Sequence, residues 1–66
     1  MINTDKLRGI IVERGTSGAE VAKQIGIAPK TFYDKMKKGV FGSDEIDVMI
    51  SFLDIENPTD IFFVKQ

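Results

Sequence analysis

Cysteine and histidine are both absent from this chain of 66 residues. Without cysteine, neither disulfide bonds nor thiolate metal sites can form, and without histidine as well, a zinc finger is excluded. One hydrophobic core must therefore stabilise a single domain, residues 1–66, which is close to the lower size limit for folding without cross-links. The apolar content of 42% is sufficient for a compact helical domain of modest stability.

A long apolar run is also missing. No stretch approaches the roughly 18 consecutive apolar residues of a membrane-spanning helix. The first five residues are too polar to begin a signal peptide. We therefore expect a soluble, cytoplasmic protein that has no membrane partner.

The sequence lacks the residue patterns of an active site. The acidic residues between positions 44 and 60 are accompanied by no histidine, no nucleophile motif and no phosphate-binding glycine loop. Their spacing differs from that of a loop that binds a cation through oxygen ligands. We expect no enzymatic activity, no metal site and no cofactor.

A surplus of positive charge is missing too, because 9 basic and 10 acidic residues give a net charge of −1. The charges are distributed unevenly along the chain. Residues 23–38 contain five lysines and one aspartate, whereas residues 44–60 contain six acidic residues and no basic one. Such a chain can present a positive surface to phosphate although its total charge is negative.

The segment of residues 17–38 predicts two helices joined by a tight turn. Ser17 and Glu20 match the S-x-x-E capping box that begins a helix. Gly26 supplies the left-handed conformation that ends this helix, and Pro29 begins the next one at the position that proline prefers. Apolar residues four positions apart give each helix a buried face: Val21 with Ile25, and Phe32 with Met36.

Similar signals predict three further helices and hence an all-α fold of five helices. The first covers residues 5–14, with Asn3 or Thr4 as its cap. The fourth begins with Ser43 as its cap, and a short fifth helix covers residues 58–64. The apolar periodicity assigns these residues to the core: Leu7, Ile10, Ile11, Ile46, Met49, Ile50 and Leu53. Phe41, in the loop before the fourth helix, is expected to anchor the helix that precedes it.

The last two helices carry more apolar residues than one buried face accommodates. A second stripe and the adjacent aromatic pair of the fifth helix comprise Val48, Phe52, Ile55, Phe62 and Phe63. These side chains are expected either to be covered by neighbouring helices or to serve self-association or partner association, including a homodimer.

A resemblance to a known family is carried by Ala22, followed four residues later by Gly26, and by the apolar residues around them: Val21, Ile25, Ile27 and Phe32. Over roughly residues 5–63, this pattern resembles the helix-turn-helix of the phage Cro and repressor family. The run TFYDKMKKGVF, residues 31–41, is similar to small Cro-like or repressor-modulating proteins of temperate phages of Gram-positive bacteria. Two positions depart from the family pattern: Ala28 stands where Ser or Thr is frequent, and Lys35 stands at an apolar position whose role Met36 takes.

The resemblance implies a five-helix, lambda-repressor-like DNA-binding domain, and a Cro-like transcriptional regulator of the choice between lysis and lysogeny. Its second motif helix would enter the major groove of double-stranded DNA. The expected DNA contacts are Ser17, Ala28, Pro29, Lys30, Thr31, Tyr33, Asp34, Lys37 and Lys38. Thr16 and Lys35 are further candidates for phosphate contact. The simpler alternative is that Ser17 is only a helix cap and that the remaining residues form a solvated face.

A second function is compatible with the same fold. The net charge of −1 predicts weak affinity for DNA. The alternative prediction is therefore an antirepressor or modulator. Such a protein would use its basic helix to bind an acidic partner, the phage repressor protein.

Overall fold

The computed structural model describes residues 2–63, which form five α-helices and, within that range, no β-strand. The helices are α1 (Thr4–Glu13), α2 (Gly18–Ile25), α3 (Pro29–Lys38), α4 (Ser43–Phe52) and α5 (Pro58–Phe62). The prediction of an all-α fold with five helices is confirmed. None of the helices in the described part of the chain is long and apolar enough to cross a membrane.

Side-chain caps begin α1 and α2. The Asn3 Oδ1 atom accepts the N–H of Lys6 at 3.1 Å, which selects Asn3 from the two predicted caps. The Ser17 Oγ atom accepts the N–H of Glu20 at 3.2 Å, as the capping-box prediction requires. In a complete capping box, the Glu20 carboxylate would accept the N–H of Ser17. Here it accepts a hydrogen bond of 3.4 Å from Gln24 Nε2 instead.

Gly26 forms the turn between α2 and α3. Its φ of 93° lies in the left-handed region, where glycine carries no steric penalty. The N–H groups of Gly26 and Ile27 donate to the carbonyl of Ala22 at 2.9 and 3.0 Å, so they satisfy the end of α2. Pro29 then begins α3, as predicted from its missing N–H.

The start of α4 differs from the prediction. Ser43 is the first helical residue and not the cap, which is Gly42. Glycine has no side chain that could accept a hydrogen bond from the first turn of the helix. The side chain of Glu45, in that first turn, instead accepts the N–H of Gly42 through Oε1 at 2.7 Å. At the other end of the chain, α5 ends at Phe62, and Val64 lies outside the described residues.

One core lies between the helices. Phe32 of α3 is buried at its centre, and the ring of Phe41 from the loop after α3 packs on it with a centroid separation of 5.5 Å. The predicted anchoring role of Phe41 is therefore confirmed. The buried core consists of Ile2, Leu7, Ile11, Val21, Ala22, Phe32, Met36, Phe41, Ile46, Met49, Leu53, Ile55, Ile61 and Phe62.

Polar contacts join α1 to the ends of α4 and α5. Arg14 donates through Nε to the carbonyl of Leu53 at 2.8 Å and through Nη2 to the carbonyl of Asp54 at 3.1 Å. These carbonyls follow the last turn of α4, where a cation also complements the helix dipole. The N–H of Asn3 donates to the carbonyl of Ile61 at 2.7 Å. Helices α1, α4 and α5 are therefore joined to one another, and α2 and α3 pack against them.

Gly9, in the interior of α1, should be a site at which alanine stabilises the protein. An added Cβ would meet nothing within 4 Å. Because alanine has less backbone freedom to lose on folding, we expect Gly9→Ala to raise the free energy of unfolding by about 0.5–1 kcal/mol, measured by urea denaturation.

Gly15→Ala is the matched control for this substitution. Gly15 also has open space around it, but its φ of 69° disfavours a side chain. The same change there should therefore lower the free energy of unfolding by about 1–2 kcal/mol. A Gly9→Ala variant less stable than the parent would contradict the prediction.

Candidate nucleic-acid interface

The outer face of α3 is held towards solvent by the burial of its opposite face. Phe32 and Met36 lie in the core, four residues apart on one side of the helix. Lys30, Asp34 and Lys37 recur at i, i+4 and i+7 on the other side, and all three are exposed. The nine residues predicted to contact DNA are all exposed, so none of them is needed to fill the core: Ser17, Ala28, Pro29, Lys30, Thr31, Tyr33, Asp34, Lys37 and Lys38.

Three of the predicted residues come together beside α1. Ser17, Tyr33 and Lys37 all line a groove of about 440 Å³, whose walls also include Val12 of α1 and Gly18 at the start of α2. We call this space the α1–α3 groove. The first turn of α2 therefore lies next to the middle of α3. The other six predicted residues lie along α3 and its N-terminal end, outside the groove.

Gly18 permits the close approach of Tyr33 to the start of α2. A Cβ atom on residue 18 would lie 2.7 Å from both the hydroxyl oxygen and the Cε1 atom of Tyr33. The tyrosine ring also packs edge-on against Phe32, with a centroid separation of 5.6 Å and an interplanar angle of 76°. About half of the Tyr33 side chain remains exposed. Sequence reasoning missed Gly18; the available signal was a glycine in the first turn of a helix, where it is unfavourable.

Lys35 points away from the exposed face of α3. Its Nζ atom donates to both carboxylate oxygens of Glu45 on α4, each at 2.8 Å. The predicted phosphate contact of Lys35 is therefore not supported. The pair also explains how a lysine is accommodated at a half-buried position: Glu45 neutralises its charge at the edge of the core.

Glu45 is buried, and its charge is stabilised from two directions. The hydrogen bond from the Lys35 ammonium, followed by that from the Gly42 N–H, holds the pKa of the Glu45 carboxyl below its ordinary value, although burial opposes this shift. One carboxylate thus closes the first turn of α4 and fixes that turn against α3.

The residues predicted to serve association are divided between core and surface. Ile55 and Phe62 lie in the core, 8% and 5% exposed, so they cannot present an association surface. The structure leaves Phe52 and Phe63 exposed at 39% and 60%, and Val48 half-buried. Val48 and Phe52 line an open groove beside α4, whose lining also includes Gln24 of α2. The predicted association surface is therefore reduced to three of its five members.

Glu45→Gln should destabilise the protein in a pH-dependent manner. Glutamine keeps the shape of the side chain but loses the charge that pairs with Lys35, which we expect to cost about 1–2 kcal/mol at neutral pH. Because folding lowers the pKa of Glu45, this stabilisation is complete above the ordinary carboxyl pKa of 4.5 and is lost as the pH falls through the lower folded value.

Urea denaturation of both proteins from neutral to acidic pH measures the effect. The difference in stability should shrink steadily below a pH of about 4.5. Asp44→Asn provides the control, because Asp44 is an exposed neighbour on the same helix turn. A difference between parent and Glu45→Gln that persists unchanged in acid would exclude this role for the pair.

Comparisons of the chain with protein families, with curated proteins and with solved structures find no match. The functional conclusion therefore depends on the geometry of α2 and α3. That geometry comprises an exposed cationic helix face, the adjoining first turn of α2 and the groove between them.

Proposed function

We propose that this protein is a sequence-specific DNA-binding transcriptional regulator of the Cro-like repressor type. The observation that supports the proposal is the exposed face of α3, which carries Lys30, Lys37 and Lys38 and is free of any role in the core. A helix of this kind fits the major groove of B-DNA, which is about 12 Å wide. Repression follows because a protein bound over a promoter excludes the polymerase.

Within this proposal, the centre of the face contacts bases. Lys30 donates to the acceptor atoms of guanine, while Asp34, one turn later, accepts from the amino group of cytosine. Tyr33 offers its ring edge to a thymine methyl group or its hydroxyl to a phosphate. Thr31, Ala28 and Pro29 lie near the N-terminal end of the helix, which comes closest to the bases in this mode of binding.

The ends of the face contact the DNA backbone. Lys37 and Lys38 in the last turn of α3 provide positive charge for phosphates. Ser17 begins α2, whose first N–H groups and positive dipole end attract a phosphate oxygen. These contacts fix the position of the protein on the duplex, whereas the central residues select the sequence.

The acidic residues orient the protein in this proposal. Five exposed carboxylates lie on α4, on α5 and in the segment between them: Asp44, Asp47, Asp54, Glu56 and Asp60. Repulsion from phosphate disfavours an encounter through this part of the surface, while α3 is attracted. Charge separation thus provides orientation even though the net charge is −1.

A second candidate function is a modulator that binds a phage repressor protein. The observation that favours it is the Lys35–Glu45 ion pair, which withdraws one lysine from the face of α3. The face then carries three lysines, at positions 30, 37 and 38, and one acidic residue, Asp34, so its local charge is only +2. Such a face attracts DNA weakly, and the acidic surface of a protein is an alternative occupant.

DNA affinity should depend on three side chains of α3. Replacing Lys30, Tyr33 and Lys37 together with alanine should abolish specific binding, because two cations and the central aromatic contact are lost. Fluorescence anisotropy with DNA from the promoter region next to the gene, and with scrambled DNA, measures this. For the parent protein, the logarithm of affinity should fall with the logarithm of salt concentration with a slope of roughly −3, as for a few phosphate contacts.

Two single lysine variants test whether the position of a positive charge matters, or only the total charge of the protein. Lys30→Ala should weaken binding to promoter DNA by roughly tenfold, the usual cost of a lost base contact. Lys6→Ala removes the same charge from α1, where Lys6 faces the side of α5, and should change the affinity less than about twofold. Equal affinity of the parent and the triple variant would contradict the assignment of α3. The absence of DNA binding even at low salt would favour the modulator.

A further inference from the structure

The α1–α3 groove has an apolar surface that the proposed DNA contacts do not use. Val12 of α1 and the ring of Tyr33 on α3 expose this surface, and the buried side chains of Ile11 and Met36 lie beneath it. Val12 is 74% exposed, the largest exposed fraction of any large apolar side chain among the described residues. A phosphate or a sugar would leave this surface without an apolar partner. The groove therefore has a chemistry of its own, and its volume is that of a typical ligand pocket.

The rim of the groove is cationic. Arg8 lies on the α1 side and Lys37 on the α3 side, and none of the acidic residues within positions 2–63 lines the groove. Arg8 forms an exposed ion pair of 3.1 Å with Asp5, which is itself outside the groove. An exposed pair of this kind is weak, so the guanidinium can exchange to a stronger acceptor. The complementary ligand carries carboxylates on both sides of an apolar centre.

We propose that the α1–α3 groove binds a short acidic segment of a partner protein, with apolar side chains that cover Val12 and the ring of Tyr33 and with flanking carboxylates that pair with Arg8 and Lys37. An amphipathic helix presents this pattern along one face, with anchors three or four residues apart. The apolar anchors supply affinity, and the two cations set the direction of the segment in the groove.

Binding in the groove excludes DNA from the same molecule. Ser17, Tyr33 and Lys37 belong both to the groove and to the residues assigned to DNA contact. A segment seated there would cover the hydroxyl groups of Ser17 and Tyr33 and neutralise Lys37. This consequence rests on the proposed function, whereas the groove and its ligand do not.

Selection from a displayed library of random peptides, with the full chain as the target, tests the proposal without assuming a partner. The expected result is enrichment of peptides that combine apolar residues at helical spacing with flanking Asp or Glu. A synthetic peptide of the enriched sequence, labelled with a fluorophore, is then the probe for affinity. In NMR spectra of the labelled protein, it should shift the amide signals of Val12, Gly18 and Tyr33.

Two matched variants test whether the peptide binds through the apolar surface of the groove or only through general electrostatic attraction. Val12→Gln removes the exposed apolar surface without changing charge, and should weaken peptide binding by about tenfold or more. Val40→Gln makes the same change at a residue that is 65% exposed but does not line the groove, and should alter binding less than about twofold. Both side chains are exposed, so both variants should give circular dichroism spectra identical to that of the parent.

Three results would overturn the proposal. The first is no enrichment of peptides at all. The second is enrichment of acidic peptides without apolar anchors. The third is equal binding to the parent and to Val12→Gln, which would place the peptide on the cationic face of α3 alone.

Competition with promoter DNA tests the exclusion separately. Unlabelled DNA should displace the bound peptide, and Val12→Gln should retain DNA binding while losing the peptide. If the peptide binds with the expected Val12 dependence but DNA does not bind, the groove assignment stands and the proposed DNA function fails. If peptide and DNA bind simultaneously, the exclusion is wrong.

Discussion

The burial of Phe32 and Met36 determines which side of α3 faces outward, and the contact of Lys35 with Glu45 reinforces that orientation. Phe32 and Met36 bring one side of the helix into the core, where the ring of Phe41 packs on Phe32. The two hydrogen bonds of 2.8 Å add a directional constraint on one flank of α3, and Glu45 is itself fixed through the N–H of Gly42. The positions of Lys30, Asp34 and Lys37 at the surface follow from this arrangement, because they lie on the side of the helix opposite Phe32 and Met36.

The support beneath α3 compensates for the small size of the domain. No disulfide is available to a chain without cysteine, so long-range hydrogen bonds close the structure at both ends of α1. Arg14 binds the end of α4, and Asn3 binds α5. Helices α2 and α3 bury Val21, Ala22 and Phe32 against this frame and leave their polar faces free. Stability and surface chemistry are thus assigned to opposite faces of α2 and α3, which allows the exposed face to carry charge.

Local signals predicted the helices well, because caps, glycines and apolar periodicity depend on neighbours within one or two turns. Asn3, Ser17, Gly26 and Pro29 have their predicted roles for this reason. Apart from the cap of α4, which is Gly42 and not Ser43, the errors concern distant partners. The pairing of Lys35 joins residues ten positions apart, and the burial of Ile55 depends on the packing of α5 and its preceding segment. The α1–α3 groove joins three helices, and its composition was not evident from any single one of them.

Gly18, at the start of α2, influences which substitutions this surface can accept during evolution. A Cβ atom at position 18 would overlap the ring of Tyr33, so any other residue there forces that ring to move. The contacted atoms belong to the far end of a half-exposed side chain, so a larger residue at position 18 would be accommodated by turning the ring of Tyr33 away from α2. A change in the preferred ligand of α3 that requires replacing Tyr33 would, by the same geometry, open the start of α2 to new side chains.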